Sequence, residues 1–234
     1  MTERTAPDRP SLTDRRRAAT QLEIAVAAAE FFAERGAEAT TAEEIARAAG
    51  VALRTFYRYF RTKEEAVAPL LAAGGRRWVA LIADSPADLP VPEVLARAAV
   101  RALTPADARA VEELRWTRAL LTDPALRTVW RGVHQDSEEE LVPVLAARCG
   151  AGADPLEVRL AAAAATAAIR VALESWATGE GERTGGGDGP GAAADPGALA
   201  GRCVLELTAG LRLWRDPGGP GLPTGTSGTR AADD

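Results

Sequence analysis

The chain has 234 residues, of which 47% are hydrophobic and 26% are charged, and its formal net charge is -5. This is the composition of a globular protein, and the length allows a small domain joined to a larger one. No apolar run reaches the roughly 18–20 residues of a membrane-spanning helix, and no apolar segment follows the charged N-terminus as in a secretory signal, so we expect no membrane partner and a cytoplasmic location.

Helical patterns dominate the chain and alternating β-branched runs are absent, which predicts an all-α fold. Residues 1–12 are expected to form a disordered arm. The first predicted helix is capped by Thr13 and runs to Arg35, because Gly36 can end it in the left-handed conformation.

Two short helices are predicted next. Thr41 and Glu44 form a capping box, which starts a second helix that stops at the following glycine. A turn leads from there into a third helix over 52–59. Phe56 and Phe60, four residues apart, lie on one side of this element and are expected to point into the core.

The rest of the chain predicts six more helices. A capping box at Thr62 and Glu65 starts a helix that runs toward Ile82, and Pro69 should kink this helix by removing a backbone hydrogen bond. The other helices are predicted at 92–103, 105–122, 125–149, 155–178 and 197–215.

Two segments lack the pattern of a packed element. Residues 179–196 are rich in glycine and are expected to form a mobile loop. The Gly/Pro/Thr-rich tail over 216–234 is expected to be disordered.

A short helix, a glycine-containing turn and a second short helix with basic and hydroxyl side chains form a helix-turn-helix, whose second helix enters the major groove of DNA. The segment over 22–67 also closely resembles the N-terminal domain of the TetR family of regulators. The resemblance rests on Ile24, Ala27, Ala28, Phe31–Phe32, Gly36, Thr40–Thr41, Ile45–Ala46, Ala49–Gly50–Val51, Thr55–Phe56–Tyr57, Tyr59–Phe60 and Lys63–Glu64. It implies a DNA-binding domain over 13–62 and a helical ligand-binding and dimerisation domain over 63–215.

The charge distribution agrees with a nucleic-acid partner. Residues 1–63 hold 11 basic and 9 acidic side chains, and residues 45–63 hold five basic side chains and no acidic one. In an otherwise acidic chain this stretch indicates a phosphate-facing surface. Arg4, Arg9 and Arg15–Arg17 form either a minor-groove arm or a set of solvated charges.

The resemblance implies base contacts for three residues at the start of the third helix. Arg54 can fork onto guanine, Thr55 can reach a base or a phosphate, and Leu53 can pack on a thymine methyl group. The alternative is that Leu53 belongs to the core and Arg54 meets only phosphate. Ala52 stands where the family often has a capping Ser or Thr, so this cap is weaker by about 1 kcal/mol.

Phosphate contacts are implied for Thr41, Tyr57, Tyr59 and Lys63. Thr41 would act together with the free N–H groups at the start of its helix. The alternative for Tyr57 is simple packing, in which case its hydroxyl would need a buried partner.

The last two predicted helices lie where TetR-like proteins form a four-helix dimer interface. The interface residues implied here are Leu160, Ile169, Leu173, Trp176, Val204, Leu207 and Leu211. Much of this apolar surface is needed inside the monomer in any case. Operator geometry adds a reason for a homodimer, because two recognition helices must lie about 34 Å apart on DNA.

Helices over about 63–150 are expected to surround an effector cavity. Its predicted lining residues are Trp78, Trp116, Arg118, Trp130, His134 and Arg170, and Arg118 or Arg170 could anchor an anion. Each tryptophan can equally be plain core, and the lone histidine can be structural. The segments over 115–130 and 161–176 resemble a subgroup of the family whose C-terminal domain binds acyl-CoA-like ligands.

Other classes of function fit the residues less well. An enzyme is poorly supported because the chain lacks a nucleophile–His–carboxylate set and a phosphate loop. Cys149, Cys203 and His134 make neither a disulfide framework nor a metal site, so we expect no cofactor and interpret both thiols as buried.

The sequence therefore predicts a regulator that a small hydrophobic or acyl-CoA-like effector releases from double-stranded operator DNA. Repressor is the commoner role in the family, and an activator remains an alternative. A homodimeric helical interaction protein without DNA binding is the other alternative. Pro69, Gly74 and Gly75 predict a deformable connecting helix, whose shift would separate the recognition helices.

Overall fold

The computed structural model describes residues 11–180 and 195–208, and this part of the chain is all-α, as predicted, without a β-strand. Its helices are α1 (Leu12–Arg35), α2 (Ala42–Ala48), α3 (Leu53–Tyr59), α4 (Ala68–Ala83), α5 (Val91–Leu103), α6 (Ala108–Thr122), α7 (Arg127–Cys149), α8 (Pro155–Thr178) and α9 (Pro196–Thr208). The disorder predicted for the N-terminal arm, the glycine-rich loop and the tail falls almost entirely outside the described residues and stays a prediction.

Helices α1, α2 and α3 form the N-terminal part of the fold. The capping box of α2 is confirmed: the Glu44 N–H donates to the Thr41 hydroxyl at 3.3 Å, and the Thr41 N–H donates to the Glu44 carboxylate at 2.9 Å. Gly50 turns the chain between α2 and α3 with φ of +66°, which favours glycine. Phe56 and Phe60 are buried, as predicted.

Helix α1 begins earlier than predicted. Ser11, rather than Thr13, is the N-cap residue, and it forms a capping box with Asp14. The acidic residue three positions later completes this box and selects the earlier start. Arg15–Arg17 therefore lie in the first turns of α1 and not in an N-terminal arm.

The helix predicted over 62–82 is divided. Glu64–Val67 form a 3-10 turn, and α4 begins only at Ala68. Pro69 consequently lies in the first turn of α4, where the missing N–H has no partner in the helix to lose. The predicted kink at Pro69 is wrong, because the regular α-helix begins only one residue before it.

Residues Glu64–Ala83 form the one described stretch that is long and apolar enough to cross a membrane, with a mean hydropathy of 1.3. Here the stretch packs against α1, α5 and α7, and it carries Arg76 and Arg77. Four of its large apolar side chains are buried, Leu70, Leu71, Trp78 and Ile82, while Val79 and Leu81 are partly buried. We interpret it as a core helix that joins the two halves of the fold.

Local signals determine where the later helices begin. Asp107 caps α6, so this helix begins three residues after its predicted start. A 3-10 turn over Pro124–Leu126 precedes α7, where a helix from residue 125 was predicted. Helix α8 spans the predicted range. The predicted last helix is observed to Thr208, and its remainder lies outside the described residues.

The larger part of the fold is a bundle of α4 to α9. Helix α7 packs against α4 and α8, α6 packs against α1 and α8, and α9 packs against α5 and α8. Cys149 and Cys203 are free thiols and are only partly buried, which corrects the expectation of full burial.

Candidate nucleic-acid interface and effector cavity

Helix α3 presents basic and polar side chains to solvent. Arg54 and Arg58 are exposed, and Tyr57 is 53% exposed. Thr55 is partly exposed. Leu53 packs against the hydrophobic core but keeps some accessible surface, so both its predicted thymine contact and the core alternative remain open.

Aromatic side chains of α3 contact one another, and one of them also contacts two arginine side chains. The ring of Tyr57 meets Phe56 edge-on at a centroid distance of 5.4 Å. The guanidinium groups of Arg17 and Arg58 lie over the ring of Tyr59, at 5.8 and 5.3 Å from its centroid. These cation–π contacts gather positive charge from α1 and α3 on one side of the recognition helix.

Thr41 is occupied by its own helix cap. Its hydroxyl donates to the Glu44 carboxylate at 2.9 Å, and the Arg35 guanidinium lies 2.9 Å from the same carboxylate. The backbone N–H and hydroxyl of Thr41, with help from Arg35, lower the pKa of Glu44 to about 2. A phosphate contact by Thr41 would have to replace its bond to this ionised carboxylate, and it stays a prediction.

Lys63 has a role inside the protein that the sequence did not predict. Its ammonium group donates to the carbonyl oxygens of Ala37 and Thr40, at 2.7 and 2.8 Å. The side chain therefore fixes the loop between α1 and α2 to the segment that follows α3. A phosphate contact can use only the remaining donor of the ammonium group, and this contact stays a prediction.

A second bond reaches the same loop from the other half of the fold. Asp123, between α6 and α7, accepts the Ala37 N–H at 2.8 Å through one carboxylate oxygen. The other oxygen accepts the Ala125 N–H at 2.9 Å, which caps the turn before α7. The loop between α1 and α2 is thus held by Asp123 through an N–H and by Lys63 through two carbonyl groups.

A mostly apolar cavity of about 100 Å³ lies between α4, α5, α6, α7 and α8. Its lining residues are Leu70, Leu71, Ala73, Gly74, Gly75, Arg77, Trp78, Ala99, Ala102, Leu103, Thr104, Pro105, Ala110, Glu113, Leu114, Thr117, Trp130, Val133, His134, Ser137, Thr166, Ile169 and Leu173. Sites for organic ligands are usually larger than this, so the cavity must widen to hold one.

Half of the predicted pocket residues line this cavity. They are Trp78, Trp130 and His134. Trp116 and Arg118 do not: Trp116 is buried elsewhere, and the Arg118 guanidinium lies over the ring of Trp176 at 5.5 Å. The positions of both side chains depend on packing between distant parts of the chain, which the sequence does not reveal. The anion anchor predicted at Arg118 is therefore not part of this cavity.

Arg170 lines a neighbouring open groove of about 640 Å³, together with Arg131 and Arg159. Its guanidinium donates to the Glu174 carboxylate at 3.0 Å, and the Trp130 indole donates to the other oxygen of this carboxylate at 3.0 Å. The groove is also lined by Glu138 and Glu139, so it carries charges of both signs, and the hydrogen bonds of Glu174 connect it to the cavity wall.

His134 lies between the cavity and the groove and lines both. Its ring meets the Trp130 ring edge-on at a centroid distance of 4.1 Å. Burial, with the nearby charge of Arg170, lowers the pKa of His134 to about 4, so the imidazole is neutral at pH 7. Neither ring nitrogen has a hydrogen-bond partner among the described residues.

Helices α4 and α7 approach each other closely at the cavity wall. A Cβ atom added to Gly75 would lie 2.4 Å from the Ser137 hydroxyl oxygen, whereas one added to Gly74 would meet nothing within 4 Å. The Ser137 hydroxyl donates to the Val133 carbonyl at 2.9 Å and is held in place. Gly75 is thus required by close packing of the two helices.

Comparison with known proteins identifies the family. A model described as bacterial regulatory proteins of the tetR family matches residues 24–68, and a model described as the MftR C-terminal domain matches residues 89–185. The two matches together cover more than half of the chain. This chain belongs to the TetR family of transcriptional regulators.

The HTH-type transcriptional regulator TcmR of Streptomyces glaucescens is 36% identical to this chain over 84 residues. That match covers 36% of this chain and 37% of TcmR. A tetR-family regulator from Streptomyces coelicolor is similar in structure, with a TM-score of 0.50 and 18% identity over 82% of this chain and 79% of that chain. Thermus thermophilus FadR, a TetR-family repressor in complex with lauroyl-CoA, has a TM-score of 0.51 and 21% identity over 86% of this chain and 99% of that chain.

The interface predicted from the TetR-like arrangement is only partly exposed. Leu160 is 52% exposed on α8 and Leu207 is 50% exposed on α9. Four other predicted interface residues belong instead to the core of this chain: Ile169, Leu173, Trp176 and Val204. Leu211 lies outside the described residues. Exposed Leu156 and Val171 extend the apolar surface of α8 and were not predicted.

Asp123, Ser137 and Thr166 were also missed by the sequence analysis. Ser137 and Thr166 lie within helices, and Asp123 lies at the turn between α6 and α7. Their importance comes from partners or neighbours distant in the chain, such as Ala37 for Asp123 and Gly75 for Ser137.

Proposed function

We propose that this TetR-family regulator is a repressor that acts in the cytoplasm, binds double-stranded operator DNA as a homodimer through α3, and is released when a small effector enters the cavity. The observation that carries the proposal is the position of α4. This helix packs against α1 at the DNA-binding end, and its residues Leu70, Gly74 and Trp78 form one wall of the cavity.

The cavity supports a hydrophobic effector. Its wall is mostly apolar, and the groove beside it carries Arg131, Arg159 and Arg170 together with Glu138 and Glu139. An acyl-CoA-like molecule, with a chain in the cavity and acidic groups in the groove, would match both surfaces. The lauroyl-CoA bound to Thermus thermophilus FadR makes this class a reasonable one to test here.

The small volume of the cavity supports a mechanism of release. An effector larger than the cavity must displace helices, and α4 meets α7 without spare space at Gly75 and Ser137. The effector then stabilises a conformation in which α4 has moved, and only an effector that prefers this conformation can release DNA. The bond from Asp123 to Ala37 offers a second connection between the cavity helices and the DNA-binding domain.

A homodimer is supported by the exposed apolar side chains of α8 and α9, including Leu160 and Leu207. Two subunits related by a two-fold axis would present two α3 helices to successive turns of the major groove, about 34 Å apart. The same arrangement would serve an activator, because the sign of regulation depends on where the operator lies relative to the promoter.

The proposal is tested by the binding of the purified protein to DNA that flanks its own gene, measured over a range of salt concentrations. Arg54→Ala should reduce discrimination between operator and scrambled duplex by about 5–150-fold, because a guanine contact contributes about 1–3 kcal/mol. Arg101→Ala, which changes an exposed arginine of α5, is the matched control and should bind as the wild type does. Absence of specific binding at every salt concentration would contradict the proposal.

A further inference from the structure

Most polar groups on the cavity wall are already hydrogen-bonded within the protein. The Trp78 indole donates to the Leu95 carbonyl at 3.2 Å, and the Trp130 indole donates to the Glu174 carboxylate at 3.0 Å. Arg77 donates to a backbone carbonyl of α5. Each indole thus uses its only donor within the protein, and Arg77 uses one of its donors there.

The hydroxyl groups of the cavity wall are also hydrogen-bonded within the protein, with one exception. Thr104, Thr117 and Ser137 each donate to the carbonyl oxygen four residues earlier in their own helix, at 2.8 or 2.9 Å. Thr166, in the middle of α8, makes no such bond: its hydroxyl oxygen is buried and has no partner, and the residue is only 4% exposed. A buried hydroxyl without a partner destabilises a protein, so its presence needs an explanation.

His134 is the other exception, since both of its ring nitrogens are buried without a partner. Thr166 and His134 both line the cavity and the neighbouring groove, so they lie on the wall that the two share. Three unpartnered polar atoms therefore occur on one wall, while the other polar side chains around the cavity have partners in the protein.

We infer that His134 and Thr166 form a specificity site that binds an uncharged oxygen group, a hydroxyl or a carbonyl, of an otherwise apolar effector. This inference rests on the proposed function, because it identifies the ligand chemistry of the same cavity.

The chemistry of the two side chains determines the class of group. A neutral imidazole offers one N–H donor and a threonine offers one O–H donor, and a single oxygen atom can accept both bonds. A cation is disfavoured because the Glu174 carboxylate is already paired with Arg170 and accepts from the Trp130 indole, and an unpaired buried cation is costly. A carboxylate is disfavoured because the nearby positive charge of Arg170 is already paired with Glu174, and an unpaired buried anion is costly.

The ligand preference can be measured by isothermal titration calorimetry with four single-ring probes of similar size. They are 4-ethylphenol, acetophenone, ethylbenzene and 2-phenylethylamine. We expect the hydroxyl and carbonyl probes to bind at least about tenfold more tightly than ethylbenzene, which corresponds to about 1.4 kcal/mol. The cationic amine should bind more weakly than either.

The variants Thr166→Val and His134→Phe should each bring the ratio of the affinities for the oxygen-bearing probes and for ethylbenzene close to one. Their affinity for ethylbenzene itself should equal that of the wild type. Thr117→Val is the matched control, because that hydroxyl also lines the cavity but is bonded to the Glu113 carbonyl. Equal binding of ethylbenzene and the oxygen-bearing probes, full preference in both variants, or no binding of any probe would overturn the inference.

A second measurement needs no ligand. Removal of a buried hydroxyl that has no partner should stabilise the protein, so Thr166→Val should raise Tm, by about 2–4 °C if the gain is near 1 kcal/mol. Thr117→Val should lower Tm or leave it unchanged. A decrease in Tm for Thr166→Val would mean that the hydroxyl has a partner within the protein, which overturns the inference.

Operator binding of the same proteins separates this inference from the proposed function. A wild-type protein that binds operator but shows no preference for the oxygen-bearing probes would contradict only the specificity site. A wild-type protein that binds the oxygen-bearing probes selectively but no operator would contradict the proposed function and leave the specificity site supported.

Discussion

Tyr57 has two parts whose roles can be separated. Its ring contacts Phe56, and about half of the residue is in solvent beside the arginines of α3. Tyr57→Phe retains the ring contact and removes only the hydroxyl. We expect the free energy of unfolding to change by less than about 0.5 kcal/mol, as for other surface substitutions.

The same substitution should weaken DNA binding by about fivefold, since a hydrogen bond to a charged phosphate contributes about 1 kcal/mol or more. The loss should be equal for operator and scrambled duplex, measured by fluorescence anisotropy at fixed salt. Unchanged affinity for both duplexes would favour the alternative in which Tyr57 only packs.

His134 predicts a specific dependence of stability on pH. Its pKa in the folded protein is about 4, below the 6.5 of an exposed histidine, so the unfolded chain binds the proton more readily. The neutral imidazole therefore makes its full contribution to the free energy of unfolding above pH 6.5, and this contribution is lost as the pH falls from 6.5 to 4. The charged groups that line the groove beside His134 are Arg131, Glu138 and Glu139 on α7 and Arg159 and Arg170 on α8, and Arg170 is paired with Glu174.

His134→Phe keeps an aromatic ring against Trp130 but cannot titrate. Relative to the wild type, the variant should gain about 2–3 kcal/mol of stability between pH 7.5 and pH 4.5, measured by urea unfolding. The low pKa of Glu44 affects stability only below about pH 4.5 and is present in both proteins, so it cancels in the difference. A constant difference between the two proteins across this pH range would show that His134 is not buried as described.

At the scale of helices, the contact of α4 with α7 can be changed by one methyl group. Gly75→Ala places its Cβ against the Ser137 hydroxyl and must rotate that side chain or separate the helices. We expect a loss of about 1–3 kcal/mol in stability and weaker operator binding without effector, because the substitution imitates the widening of the cavity.

Two variants make the test of Gly75 specific. Gly74→Ala has open space around its Cβ and should raise stability by up to about 1 kcal/mol through helix propensity, with operator binding unchanged. Adding Ser137→Ala to Gly75→Ala removes the clashing oxygen and should restore operator affinity. If the double variant remains as weak as Gly75→Ala, the contact with Ser137 does not control α4.

Helix ends were predictable where the capping residues lie close together in the chain and have no competing hydrogen-bond partner. The box of Thr41 and Glu44 forms as predicted because both partners lie within one turn. The box predicted at Thr62 forms only half: the Glu65 N–H donates to the Thr62 hydroxyl, but the Glu65 carboxylate accepts from the Arg61 N–H instead. A competing donor one residue earlier is enough to divide the predicted helix.

Contacts between distant parts of the chain were not predictable from periodicity. Lys63 has the position of a phosphate contact in the family pattern, yet its ammonium group is held by carbonyl groups 23 and 26 residues earlier. Ile169 and Leu173 have the spacing of either an interface or a core, and only the packing of α7 on α8 decides for the core. A helical pattern identifies an apolar face but not what covers that face.

For the whole molecule, the question is how the cavity end and the DNA-binding end act on each other. The loop at Ala37 is a point where both halves meet: its N–H is bound by Asp123 and its carbonyl by Lys63. Thr40 is fully buried in this loop, and its hydroxyl donates to the Gly36 carbonyl at 2.9 Å. A displacement of the turn between α6 and α7 would therefore move the end of α1 through the hydrogen bond between Asp123 and Ala37.

Asp123→Ala tests this connection, and Asp107→Ala is its matched control. Both carboxylates cap the start of a helical segment, so each substitution should cost about 1 kcal/mol in stability, but only Asp123 also binds the DNA-binding domain. We expect only Asp123→Ala to speed hydrogen exchange of the Ala37 amide and to change operator affinity, although Asp123 lies outside the recognition helix. Equal effects of the two substitutions on operator affinity would mean that helix stability, and not the bond to Ala37, connects the cavity end of the molecule to DNA.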